Sequence, residues 1–135
     1  MAFHSTTIEL PTTKKQETLD ITKRVRAEVK SCGIESGLCS IFVPHTTAAV
    51  TINENTDPDV QTDILNALER AVPAGEKYYK HSDGNAHAHA KAVVVGFSET
   101  IPVQGGRLQL GSWQAIYFCE FDGPRNRKVV VTVLG

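Results

Sequence analysis

The chain has 135 residues, 41% of them apolar and 21% charged, with a formal net charge of -1 at pH 7. That is one domain, residues 1–135, long enough to bury a sizeable core, and its near-neutral charge excludes the basic footprint of a nucleic-acid binder. No apolar run approaches the ~20 residues of a membrane span, and Cys32, Cys39 and Cys119 lack the number and spacing of a disulfide framework or zinc ribbon, so reduced thiols in the cytoplasm are expected.

Residues 2–10 alternate well enough for a first strand ending at Pro11, with Lys14 and Lys15 in the turn beyond. Asp20 caps a helix over 20–32, in which Ile21, Val25 and Val29 recur on one face before Gly33 ends it. Leu38 to Val43 reads as a buried strand stopped by Pro44, and Thr47 to Asn53 as a second one. The short link between them predicts a hairpin with His45 in its connection. Thr56 or Asp57 caps the next helix, which starts near Pro58, carries Val60, Ile64, Leu68 and Val72 as its stripe, and closes at Pro73. Glu54, at the end of the preceding strand, has no capping role, so its carboxylate is free to serve a site.

Three of the five histidines fall within His81–His89. Imidazole is the commonest metal ligand and transfers protons near neutral pH. Asn85 and Gly96 bracket a helix over 86–95, preferred over a strand because of the cap and the alanine content. Residues two apart on a helix point about 200° apart, so only one of His87 and His89 can face a site. Taken alone, His87 reads as a surface residue. His81 lies in the loop ahead, and Asp83-Gly84 signals a turn.

Ser98 to Val103 and Arg107 to Leu110 form a predicted hairpin through Gln104-Gly105-Gly106. Trp113 to Phe121 is a long strand, Gly123-Pro124 turns the chain, and Lys128 to Leu134 is the last strand. Strands crowd the second half and helices are inserted in the first. The pattern predicts an α+β fold with a mainly antiparallel sheet and two to three inserted helices.

Four separated motifs carry a resemblance. They are His45-Thr46-Thr47-Ala48; Asn53-Glu54-Asn55 with Asp57-Pro58; His81 with His89-Ala90-Lys91; and Gly111-Ser112-Trp113-Gln114 with Glu120. Together with Gly123-Pro124-Arg125 and Val133-Leu134-Gly135 they resemble the YjbQ-like family over nearly the whole chain. The resemblance implies a homotrimer of compact α+β subunits and a weak secondary thiamine-phosphate synthase activity. It also implies a metal-like site whose ligands match His45, His81 and His89, with His87 an addition to the motif.

Three neutral imidazoles leave an open position on a tetrahedral zinc. Such a metal activates water or polarises a phosphate oxygen. Zinc is the expected ion, with magnesium the choice for a pyrophosphate substrate. Glu54, and after it Glu120, is the expected proton acceptor. Arg107, Arg125 and Arg127 are candidates for a phosphate clamp, because guanidinium matches phosphate bidentately. The expected function is therefore metal-assisted chemistry on a small phosphorylated substrate, without nucleic-acid or membrane partners. The alternative is a non-catalytic oligomer that binds a metal or an anion.

Overall fold

Alternation along the last strand sets the core: Arg127, Val129, Val131 and Val133 point inward and Lys128 outward. The computed structural model describes residues 1–135. In chain order the elements are β1 (Phe3–Pro11), β2 (Glu17–Asp20), α1 (Thr22–Cys32), β3 (Ser36–Phe42), β4 (Ala48–Glu54), α2 (Pro58–Ala71) and α3 (Ala86–Val95). They continue with β5 (Ser98–Gln104), β6 (Arg107–Leu108), β7 (Gln114–Glu120) and β8 (Asn126–Leu134). All strand pairs are antiparallel, in two sheets ordered β1-β8-β3-β5-β6 and β2-β7-β4. This is the predicted α+β fold, with three helices.

The main core lies between the sheets. Val129, Val131 and Val133 of β8 and Cys39 and Ile41 of β3 share one cluster with Ile116 and Phe118 of β7 and Ala48 and Val50 of β4. Ile21, Val25 and Val29, the predicted stripe of α1, belong to the same cluster. Asp20 accepts from the Thr22 N–H at 2.9 Å, which pairs one of the donors a helix start leaves without a partner. The smaller sheet is covered on its other face too: Ala49, Cys119 and Phe121 pack on Ala88 and Ala92 of α3. Strands buried on both faces read as unbroken apolar runs, as Ala48-Ala49-Val50 and Ala115 to Cys119 do.

Two local expectations are corrected. The strands flanking His45 do not form a hairpin: β3 pairs with β5 and β8, whereas β4 pairs with β7. The Pro44–Thr47 link instead carries the chain from one sheet to the other, because each strand finds an apolar partner in its own layer. The turn after β1 also contains β2, whose Glu17 to Asp20 pair with Glu120 to Tyr117. A four-residue strand with only Leu19 as a large apolar residue gives little periodicity to detect.

Candidate functional site

At one end of the core the two sheets meet through charge. The β7 alternation that turns Ile116 and Phe118 inward does the same for Glu120, and β8 turns Arg127 toward it. Glu120 has no exposed surface. Its Oε1 accepts from Thr12 Oγ1 at 2.7 Å and from Arg127 Nε at 2.8 Å. Its Oε2 accepts from Arg127 Nη2 and from the Asp122 N–H at 3.1 Å. Arg127 Nη2 also donates to Thr47 Oγ1 at 2.8 Å. Burial pushes the Glu120 pKa up, but the hydrogen bonds from Arg127, Thr12 and the Asp122 amide outweigh it, so the carboxyl sits below its ordinary range. A carboxylate so engaged is a poor proton acceptor, and a guanidinium so engaged is not free to clamp a phosphate. Glu120 and Arg127 join the sheets instead.

Beyond Glu120 the chain turns tightly: a Cβ added at Gly123 would lie 2.2 Å from the Lys14 carbonyl oxygen. This turn delivers Asp122, which gathers three donors. Lys15 Nζ donates to Oδ1 at 2.8 Å, and Arg125 Nη2 and Asn85 Nδ2 donate to Oδ2 at 2.9 and 2.8 Å. Burial opposes ionisation of Asp122, yet these donors hold its carboxyl far below the ordinary aspartate value. Arg125 and Lys15 remain more than half exposed, at 53% and 64%. Of the three candidate arginines, Arg125 is the one at this end with an exposed guanidinium, whose Nε and Nη2 donate to the Asp122 carbonyl and carboxylate and whose Nη1 has no partner.

Asn85 links this cluster to α3. Its amide goes to Asp122 rather than capping the helix, and its Oδ1 is buried without a partner. The helix then separates its histidines as its geometry requires. His87 is only 6% exposed, which corrects its reading as a surface residue. One turn on, Lys91 is wholly buried and donates to Glu69 and to Gln16 Oε1. Burial first, and the Lys91 charge second, depress the His87 pKa, and its Nδ1 has no partner.

His89 faces the other way and meets His81. Their ring centroids are 5.2 Å apart and the planes stand at 87°. Asp83 Oδ2 lies 3.4 Å from His81 Nε2. His45, in the inter-sheet link, accepts the Lys128 N–H on Nε2 at 3.0 Å. An amide can only donate, so neutral His45 carries its proton on Nδ1. Burial, and after it the Arg127 charge, lower the His45 pKa and favour that neutral form. His45 therefore offers an N–H donor, and its one lone pair is already in use. Within one chain no three His, Cys, Asp or Glu side chains form a group able to hold a metal ion. The expected set of His45, His81 and His89 is brought together only in its His81–His89 part.

Two other expected members lie elsewhere. Ala48 pairs with Glu120 and Glu54 with Gln114, so Glu54 sits at the far end of an unbroken β4. At ~3.3 Å per residue that is about 20 Å from the His45 end. Arg107 pairs with Gln104, and Gln104 with Ser36, at the opposite end of β3 from Phe42 and its partner Val130. Register alone separates Arg107 from Arg127 by at least about 20 Å. Lys15, Asp122, Asn85 and Lys91 were not among the expected site residues. One signal was available: His87 and Lys91 are four apart, which puts them on one face of any helix there.

Residues 6–135 match the model of the family described as UPF0047 protein YjbQ-like. The chain belongs to that family. Its relatives include the UPF0047 protein YugU of Bacillus subtilis, 47% identical over 129 residues that span 96% of this chain and 98% of YugU. An uncharacterized conserved family member from Clostridium acetobutylicum superposes with a TM-score of 0.92 at 48% identity, covering 96% of this chain and 99% of that one. A protein of unknown function from Sulfolobus solfataricus gives 0.95 at 37% identity, covering 99% and 98%. The family and fold are thereby fixed, and its relatives bring no activity with them.

Proposed function

We propose that the end of the molecule bearing His81, His89, Arg125 and Lys15 is the active site of an enzyme acting on a small phosphorylated substrate. The observation that carries this reading is the His81–His89 pair, two imidazoles 5.2 Å apart on an accessible surface one helical turn from the Asn85–Asp122–Arg125 cluster. Two adjacent imidazoles can divide the acid and base roles when one is protonated and the other is not. Arg125 and Lys15 supply positive charge for a phosphate without being buried in a closed pair. The His45 Nδ1–H adds a donor if the substrate reaches the inter-sheet link.

A divalent metal, zinc above all, fits this site in part: His81 and His89 are two suitable ligands, and His45 is not available beside them in one chain. Further ligands would come from substrate, water or a neighbouring copy in the homotrimer that the family resemblance implies. A thiamine-phosphate synthase-like transfer belongs to the same class. There a thiazole nitrogen attacks the carbon bearing a pyrophosphate, a C–N bond forms, and the pyrophosphate departs with the C–O electrons onto a cationic site.

The test is turnover of a panel of phosphate esters, together with the pyrimidine pyrophosphate and thiazole phosphate pair, by untagged protein and its single variants. His81→Ala and His89→Ala should each lower the rate by about 100-fold, the size expected for acid–base work. Full activity in both variants, with folding unchanged, would overturn the reading. Metal content of the same preparations, measured by mass spectrometry, tells whether the loss follows an ion or the imidazoles themselves.

A further inference from the structure

We propose that the cleft between the second half of α1 and the β5–β6 hairpin is a separate binding site for a small organic phosphate. The cleft has a volume of about 660 Å³, within the ~300–1,000 Å³ of small-molecule sites. Its floor is apolar: Val29, Ile34 and Leu108 line it and are nearly fully buried. Its rim is cationic. Arg26 and Lys30 project from α1 and Arg107 faces them from the hairpin, with Glu35 the single carboxylate. Three positive charges against one negative leave an excess of two.

The three cations are exposed, and none of their side chains is in an ion pair or hydrogen bond within the chain. Arg26 and Lys30 lie one turn apart on the same helix face, an arrangement of like charges that disfavours the helix. Lys30 has a structural role, since a cation in the last turn complements the helix dipole. That role does not account for Arg26, nor for Arg107 facing it from another element. A bound dianion accounts for all three.

The hairpin tip leaves open space beside the cleft. Gly105 and Gly106 have φ of +60° and +71°, a left-handed conformation that favours glycine, and a Cβ at either would meet nothing within 4 Å. The Gly106 N–H is anchored to the Glu35 carbonyl at 3.0 Å, so the tip is held against the strand that begins beyond Glu35. Two guanidiniums can each take a phosphate edge bidentately. The apolar floor then receives the organic body, which is why an ester, rather than inorganic phosphate, is the ligand that fits. Register puts this cleft at the far end of the larger sheet from Arg127, so the inference stands or falls independently of the histidine site.

Calorimetric titration of the full chain with phenyl phosphate tests it, with inorganic phosphate and phenol as the charge without the body and the body without the charge. Phenyl phosphate should bind more tightly than either. Arg26→Ala and Arg107→Ala should each weaken it at least 10-fold, and Lys77→Ala, at an exposed cation outside the cleft, should leave it unchanged. Both cleft arginines are exposed, so circular dichroism should show these variants folded. No binding of phenyl phosphate at millimolar concentration would overturn the proposal. So would binding that is indifferent to both cleft substitutions, or binding that falls as far in Lys77→Ala as in the cleft variants.

Discussion

Charges at the two ends of the larger sheet are handled in opposite ways. At the start of β8, Arg127 is buried against a buried Glu120, and every lone pair of that carboxylate has a donor. At the β6 end, Arg26, Lys30 and Arg107 stand exposed around a cleft with a single carboxylate. A buried charge must be matched within the chain, because desolvating it alone costs several kcal/mol. A solvated charge carries no such obligation and stays available to a ligand. Arginines that are equivalent in the sequence are thus divided by burial into those that hold the fold and those that can bind.

The largest effect expected from breaking this comparison is at the buried pair. Arg127→Met leaves Glu120 charged and unmatched inside the core, and should cost about 3–5 kcal/mol in urea unfolding. Replacing both, as Glu120→Leu with Arg127→Met, should recover most of that loss, since a pair of apolar side chains removes the stranded charge. Arg26→Ala or Arg107→Ala at the solvated end should change stability by no more than about 0.5 kcal/mol. Comparable losses at the two ends would mean that burial does not divide them.

Acid should expose the same division. Glu120 and Asp122 both have folded pKa values below their ordinary range, despite burial. The unfolded chain then binds protons first as pH falls, so stability is complete above the unfolded carboxylate values of ~3.9–4.3 and is lost as pH drops through them toward the folded values. Urea midpoints should fall most steeply below about pH 5. Asp122→Asn should flatten that fall.

A smaller effect lies in the histidine range. His87 and His45 are depressed by burial first and by Lys91 and Arg127 second. The unfolded imidazole, near ~6.5, takes up its proton before the folded one does, so stability falls as pH drops below that value. His87→Leu should reduce the slope of the urea midpoint between about pH 5 and 7. An unchanged slope in His87→Leu would mean that burial on α3 does not hold that imidazole neutral.

These contrasts bear on what the sequence could reveal. The α1 stripe, the α2 cap at Asp57 with Pro58 behind it, and the helix over 86–95 were all legible, because each is a local pattern. The antiparallel α+β class was legible from strand density. The sheet-to-sheet crossing at His45 was not, because two apolar runs joined by a short link look the same whether they pair with each other or with distant strands. The histidine burst was legible as one helix and the loop ahead of it, but the burial of each histidine was not. Which of His87 and His89 is buried depends on the layer beneath α3, and the fate of Glu120 depends on an arginine across the core. Arg107 was grouped with Arg125 and Arg127 by residue type alone, and only register separates them.

The smallest expected effect belongs to Glu54. Its backbone carbonyl takes hydrogen bonds from Tyr117 and Gln61, but its carboxylate has no partner in the chain. Glu54→Gln keeps the side-chain shape and should alter stability by no more than about 0.5 kcal/mol. Glu54 lies at the far end of β4, about 20 Å from His45 by its register. General base work needs contact within hydrogen-bond reach or through one water. A site built within one chain therefore predicts unchanged turnover in Glu54→Gln beside a ~100-fold loss in His89→Ala. A ~100-fold loss in Glu54→Gln as well would require a carboxylate from a second copy to reach the histidine pair. Mixing Glu54→Gln with His89→Ala protein would then decide it. In a shared site, some mixed assemblies carry one intact half from each parent and regain activity. In a site confined to one chain, the two defective parents restore nothing.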